Sequence, residues 1–274
     1  MFSILGVTIL EQILRFLDGT MPTPRLYGAY HWLCLIIVLA LCVFVAMRCR
    51  HLSEKKVRLT LVFVGVTLII FETYKQLHFA YDGQTDEWSY TWYAFPFQFC
   101  STPMYVMLTL AFLPNGKTRR ALYAYLATYA LFAGLVVMAY PGDVFTTSIG
   151  VNIQTMIHHG AMVVVGILLY ATDVVAPKQK TIISALPVFL TLCAMALLAN
   201  WLFERFGDSA QSFNMFFISP YEIPTLVVFD KLFQYLPYPF YLMTYIFGFT
   251  LAAFLVLLAV KLLHRKKQDT RSKI

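Results

Sequence analysis

Polar and ionisable side chains gather at one level of an otherwise apolar chain. His31, the trio Glu72, Lys75 and Gln76, the pair Gln98 and Cys100, the adjacent His158 and His159, and Asn200 each interrupt a hydrophobic run. A charged group at the centre of a membrane span costs about 2.5–3.5 kcal/mol, so such residues face a bundle interior and mark either function or a specific pairing. A carboxylate, an ammonium, amides and imidazoles at a common depth form a polar pocket over an apolar floor, suited to a polar or anionic solute or a lipid headgroup. Cys100 adds a thiol, which reads either as a small packing residue or as a nucleophile. The others have structural readings too. Glu72 and Lys75, three residues apart on a helix, can neutralise one another. His31 can hydrogen-bond at the interface, and Asn200 can tie two helices together. His158 and His159 point about 100° apart on a helix, so only one of them faces a given pocket. Helical metal-ligand pairs are spaced i, i+3 or i, i+4, and no Cys-x-x-Cys occurs, so neither a metal site nor a cofactor is expected.

These residues need elements to hold them, and composition says which. Hydrophobic residues make up 59% of the chain and charged ones 13%. Apolar stretches near twenty residues long recur without strand-like alternation, which in a bilayer means helices whose amides are satisfied internally. The fold class is all-α, a polytopic transmembrane helical bundle of about seven spans plus an N-terminal interfacial helix. Spans are expected at residues 27–47, 59–79, 94–113, 121–140, 151–174, 181–203 and 238–263. The chain then forms a single integral membrane domain, 1–274, with an interfacial segment (1–26), the seven-span bundle (27–263) and a basic tail (264–274).

Seven spans also account for the basic residues. Of the 21 Lys and Arg, 16 fall in four segments, 48–58, 117–120, 178–180 and 261–273, which then share one side. The positive-inside rule makes that side the cytoplasm and the N-terminus outside, in the cell (inner or plasma) membrane. The net charge of +7 is thereby assigned to topology and not to nucleic-acid binding. In the first 26 residues, Phe2, Leu5, Ile9, Ile13 and Phe16 recur at helical spacing, with Glu11, Gln12, Arg15 and Asp18 away from them. That pattern fits a helix lying in the interface better than a signal peptide. Pro103 and Pro187 are expected to bend spans three and six, and the 206–236 loop, with Pro220, Pro224 and its aromatics, suits a lid or a partner surface.

The stretch Phe95-Pro96-Phe97-Gln98-Phe99-Cys100 resembles the Leu-Pro-Leu-x-x-Cys signature of the YwaF-like bacterial integral membrane proteins, relatives of eukaryotic transmembrane protein 164. Phenylalanines stand here at 95 and 97 in place of the leucines. Other features come in the same order: His31 opening span one, Glu72 in span two, Tyr140-Pro141, His159-Gly160 in span five, Asn214-Met215-Phe216-Phe217 in the last outer loop, and Pro237-Tyr238-Pro239-Phe240 before span seven. The resemblance implies lipid acyl transfer, because the eukaryotic relative is regarded as a cysteine-dependent phospholipid acyltransferase. Carried over, Cys100 is the nucleophile and His159 its base, with His158 as the substitute; a thiol of ordinary pKa, ~8.5, needs such a base or a positive neighbour. Glu72 or Asn152 would orient the imidazole, Gln98, Lys75 or Asn200 would donate to the oxyanion, and Asn214 would belong to the same pocket. The expected partners are a membrane phospholipid and a lysophospholipid. The alternative is a transporter or a lipid- or solute-binding membrane protein with no chemistry. Bent helices favour that alternative, whereas the missing inverted repeat and the apolar inner half oppose it.

Overall fold

A computed structural model describes residues 8–17, 19–83, 85 and 87–271, with side chains as far as residue 263. The helices are α1 (Ile9–Leu17), α2 (Ala29–Arg48), α3 (Glu54–Ala80), α4 (Thr102–Thr109), α5 (Lys117–Tyr125), α6 (Leu131–Ala139), α7 (Ile149–Ala171), α8 (Gln179–Phe206), α9 (Phe229–Tyr235) and α10 (Tyr238–Arg271). A π turn, Leu126–Ala130, fuses α5 and α6 into one rod. Strand structure among the described residues amounts to a hairpin of Tyr81–Asp82 with Glu87–Trp88 and a bridge between Thr20 and Ser148. Among the described residues six helices are long and apolar enough to cross a membrane: α2, α3, the α5–α6 rod, α7, α8 and α10. The protein is therefore an all-α, multi-pass membrane protein.

Two of the basic segments meet at one end, where Arg119 in the first turn of α5 pairs with Glu54 at the start of α3, 3.3 Å apart. At the other end, residue 20 bridges to residue 148, and Trp92 N–H donates to Gln211 Oε1 at 3.1 Å. The α5–α6 rod and α7 are the most enclosed helices, and the others surround them. Two glycines let α7 sit close to its neighbours. A Cβ on Gly134 of α6 would lie 2.8 Å from the His159 carbonyl oxygen, and one on Gly160 of α7 would lie 2.6 Å from a Val38 methyl of α2. Both contacts flank the histidine pair and fix its depth.

The third expected span, 94–113, is not a continuous helix. A 3-10 turn, Trp92–Ala94, gives way to extended backbone at Phe95, then to turns through residues 98–101, and only Thr102–Thr109 is α-helical. Pro96 has no N–H and pushes Phe95 out of the helical region. Pro103 falls in the first turn of α4, where its missing N–H costs nothing. The broken segment still runs the length of α3. Ala94 O meets Gln76, Gly65 lies against Met104 and Met107, and Leu113 O meets Arg119, which also holds Glu54.

The 206–236 loop also departs from its expected place outside the bundle. Met215, Phe216 and Ile218 are fully buried, so the middle of this segment is core and not a lid or a partner surface. Phe216 and Phe217 have φ of 60° and 58°, a left-handed conformation that costs a residue other than glycine about 1–2 kcal/mol. Pro187, by contrast, is absorbed inside α8.

Helix α1 packs on the protein through Leu14 and its polar residues. Leu14 is buried, whereas Ile9, Ile13 and Phe16 stay exposed. Trp88 donates to Glu11 at 3.0 Å and Arg15 to Tyr81 at 3.2 Å, which seats the helix on the hairpin. Phe2, Leu5, Asp18 and Lys273 lie outside the described residues, as do the side chains of the basic tail from residue 264.

Adding a methyl at the α6–α7 contact tests this packing. Gly134→Ala should cost about 1–3 kcal/mol by overpacking, because the obstructing atom is backbone. Gly142→Ala, whose Cβ would meet nothing closer than 3.5 Å, should stay within about 0.5 kcal/mol of the parent. Thermal unfolding in detergent compares the two.

Candidate functional site

Two stretches of irregular backbone in the bundle interior claim most of the intramembrane polar side chains, because a main-chain group without water must find a partner in the protein. In the first stretch, Ala94 O accepts from Gln76 Nε2 (2.6 Å), Pro96 O from Tyr105 OH (2.8 Å) and Cys100 O from His158 Nε2 (2.9 Å). In the second, Asn200 clamps both main-chain groups of Met215, with its Oδ1 2.7 Å from the N–H and its Nδ2 3.1 Å from the carbonyl. Gln98 accepts from Phe216 N–H (3.0 Å) and donates to Asn214 O (3.1 Å). The Asn214 amide itself bonds Glu222 O and Ser219 N–H. Tyr238 and Tyr241 donate to Ile218 O and Phe217 O.

These bonds correct several sequence-based roles. Gln98 and Asn200 each spend the amide oxygen and one N–H on the 213–219 backbone. Asn152 does not orient an imidazole; it bonds the N–H and carbonyl of Thr146 at 2.9 and 2.8 Å, before α7. Asn214 folds its own loop. His31 accepts from Tyr27 N–H (3.0 Å) on Nδ1, just before α2, and donates from Nε2 to Met138 O (2.8 Å), so one ring nitrogen holds the entry to α2 and the other fastens α2 to α6.

A smaller set remains. Glu72 is buried, and its Oε1 takes Lys75 Nζ at 2.7 Å and Gln76 Nε2 at 2.8 Å, while Oε2 takes Gln154 Nε2 from α7 at 3.3 Å. Tyr90 donates to Gln76 Oε1 at 2.7 Å, and burial followed by the nearby Glu72 carboxylate holds that phenol above its ordinary pKa. Thr155 Oγ1 donates to Gln154 Oε1 at 3.3 Å. The i, i+3 neutralisation of Glu72 by Lys75 is therefore real, but it is set into the protein interior. Gln154 and Tyr90 were not among the expected residues. Gln154 stands four residues before His158 in an apolar run, a spacing visible in the sequence as one helix face.

The two histidines complete the set. His158 Nε2 bonds the Cys100 carbonyl, and His159 Nδ1 lies 2.8 Å from Thr155 O. A carbonyl only accepts, so these hydrogen bonds assign the proton to His158 Nε2 and His159 Nδ1. The opposite nitrogens, His158 Nδ1 and His159 Nε2, are then bare acceptors, and both are buried without a hydrogen-bond partner. The ring centroids are 5.5 Å apart. Lys75 lies within electrostatic reach of both imidazoles and of the Cys100 thiol. His158 is thus the histidine hydrogen-bonded to residue 100, through the carbonyl and not the thiol. The floor beside the neighbouring Phe99 is aromatic. Phe99 packs on Phe189 and Phe249 with ring centroids 5.7 and 5.1 Å apart, and Tyr245 stacks on Phe249 at 4.2 Å. Among the described residues no group of three or more His, Cys, Asp or Glu is arranged to hold a metal.

The model of the TMEM164 family matches residues 26–260. The chain belongs to the TMEM164 family. The match takes in both irregular segments and every member of the Glu72 network, and it leaves α1 outside. No curated protein and no solved structure matches the chain. Membership of the TMEM164 family thus agrees with the multi-pass architecture, and the chemistry has to be argued from the residues.

The Glu72 network makes a stability prediction. Glu72→Ala leaves a largely buried ammonium without its counter-charge and should cost about 3–5 kcal/mol. Glu72→Gln combined with Lys75→Met should recover most of that loss, because no charge is left unpaired. Unfolding midpoints of the three proteins in one detergent decide it.

Proposed function

We propose that this member of the TMEM164 family transfers acyl groups between membrane lipids, with Cys100 as nucleophile and His158 as its base. The observation that carries the reading is the pair of bare imidazole nitrogens, one of them on a ring bonded to the main chain of Cys100. A buried acceptor without a donor costs about 1–3 kcal/mol, so each nitrogen is a place for an S–H or O–H group brought by chemistry. The TMEM164 resemblance stated for Phe95 to Cys100 points to the same thiol.

His158 Nδ1 takes the thiol proton, and the thiolate adds to the ester carbonyl of a phospholipid. The C–S bond forms, the ester C–O bond breaks, and the departing lysolipid oxygen receives the proton from the imidazolium. The hydroxyl of a second lysophospholipid, or a water molecule, then gives its proton to an imidazole and attacks the thioester. A new C–O bond forms, and Cys100 leaves as thiolate and is reprotonated. His159, with its own bare nitrogen, stands beside this path as a second acceptor. Lys75 supplies positive charge for the thiolate and the oxyanion. The positive-inside rule puts the Arg119 end in the cytoplasm of the cell membrane, so the site opens to the outer-leaflet half.

The test is lipid mass spectrometry on purified protein given a phospholipid and an isotopically distinct lysophospholipid. Wild type should exchange acyl groups, Cys100→Ser should lose the exchange, and His158→Gln should lower it about 10²–10⁴-fold. His159→Gln should lower it less. Absence of turnover by folded wild type across several lipid classes would move the assignment to solute binding or transport, and full activity in Cys100→Ser would remove the thiol from the mechanism.

A further inference from the structure

Tyr238, Tyr241 and Tyr245 follow one another at intervals of three and four residues, so α10 turns all three toward one face. The first two give their hydroxyl protons to Ile218 O and Phe217 O, at 2.7 and 2.6 Å. Tyr245, about one turn deeper, is fully buried, and its hydroxyl has no hydrogen-bond partner. Stacking on Phe249 at 4.2 Å and an edge contact from Phe229 at 5.4 Å hold the ring in place. Phe249 in turn packs on Phe99, the residue before Cys100, at 5.1 Å. The Tyr245 hydroxyl lies within electrostatic reach of the Cys100 thiol and of Tyr125.

Neighbouring hydroxyls are already spent. Thr102 donates to Phe99 O at 3.0 Å, so the 2.8 Å bond between Thr102 and Tyr125 carries the proton of Tyr125. Tyr129 is committed in the same way to Thr250, whose own proton goes to Ile246 O. Tyr245 is left with a proton that no group in the protein accepts. A buried donor without an acceptor is costly, and it marks a place for an oxygen brought from outside. The bare groups of α7 and α10 are complementary. Helix α7 carries two acceptors, His158 Nδ1 and His159 Nε2, and α10 carries a donor. Addition of a thiol to an ester needs both, an acceptor for the S–H proton and a donor for the carbonyl oxygen as it gains charge.

We propose that the Tyr245 hydroxyl donates to the ester carbonyl oxygen of the bound phospholipid and holds the oxyanion formed when Cys100 adds to it, an inference that rests on the acyl-transfer reading. As the C–S bond forms, the carbonyl π pair moves onto that oxygen, and the Tyr245 hydrogen bond strengthens with its charge. The pair returns when the ester C–O bond breaks. Tyr245 keeps its proton throughout, so the proton traffic stays with the histidines.

Acyl exchange and thermal unfolding, measured on the full chain of wild type and Tyr245→Phe in one detergent, test it. The variant keeps the ring and its stacking and loses only the O–H. Its kcat should fall about 10²–10³-fold with little change in KM. Its unfolding midpoint should hold or rise, because an unpaired buried hydroxyl is removed. Tyr241→Phe takes the donor from the Phe217 carbonyl and should show the opposite balance, a lower midpoint with a smaller loss of rate. Full kcat in Tyr245→Phe beside an active wild type would overturn the role of Tyr245 and leave the Cys100 chemistry standing. A fall in kcat matched by a lowered midpoint would make Tyr245 structural and overturn it as well. Where wild type turns over no lipid, the contact is read from the infrared band of dioleoylphosphatidylcholine, 13C-labelled at its ester carbonyls and bound to the protein. A band at lower wavenumber in wild type than in Tyr245→Phe supports the donor at the ester oxygen. The same band in both proteins, or no bound lipid, overturns it.

Discussion

Main-chain amides and carbonyls that enter an apolar bundle without helical geometry must be hydrogen-bonded by side chains, and this requirement organises the protein. Two segments make that demand. One descends beside α3 through Phe95 to Cys100, broken by Pro96, and the other returns through Met215 to Ser219 between α8 and α10. Each would leave several buried main-chain groups unpaired, at about 1–3 kcal/mol apiece. Gln76, Tyr105 and His158 serve the first. Gln98, Asn200, Tyr238 and Tyr241 serve the second. Gln98 belongs to the first segment and bonds the second, so the two irregular stretches are fastened to each other as well as to the helices.

That demand separates polar residues that hold the fold from those left for chemistry. Gln98, Asn152, Asn200 and Asn214 each bond backbone through both the amide oxygen and the amide nitrogen, and so hold the fold. His31 is consumed in the same way between Tyr27 and Met138. What is left is compact: the Glu72–Lys75 pair with Gln76 and Gln154 around it, and the two histidine nitrogens that no donor reaches. His158 belongs to both groups. Its Nε2 holds the Cys100 carbonyl while its Nδ1 stays bare, so a structural bond sets the tautomer that a base would need.

The strained turn at Phe216 and Phe217 fits the same logic. Left-handed φ at two aromatic residues persists because Gln98 and Tyr241 bond the main chain on either side and the Phe216 ring packs on Phe97 and Phe99. A segment that would be a surface loop in most membrane proteins becomes part of the wall beside Cys100. Close packing at Gly134 and Gly160 sets α7 against α6 and α2, and so sets the height of the histidines relative to the broken third crossing.

Local chemistry in the chain was enough to determine the class and the positions of six long helices, because apolar length is a property of each segment alone. It was also enough to bring forward His158, His159, Glu72 and Lys75 as groups too costly to bury without a reason, while Cys100 came forward through the family resemblance. Pro96 and Pro103 were legible as breakers, yet the apolar run around them read as a span, since hydropathy does not register a missing N–H. Tertiary structure alone decided which polar residues are committed. Whether an asparagine serves a loop or a substrate depends on whether unpaired backbone from a segment distant in sequence lies within 3 Å of it, and no spacing along one helix encodes that. For the same reason only the packed bundle separates His158 from its neighbour: the two differ by 100° about α7, and the Cys100 carbonyl lies on one side of it.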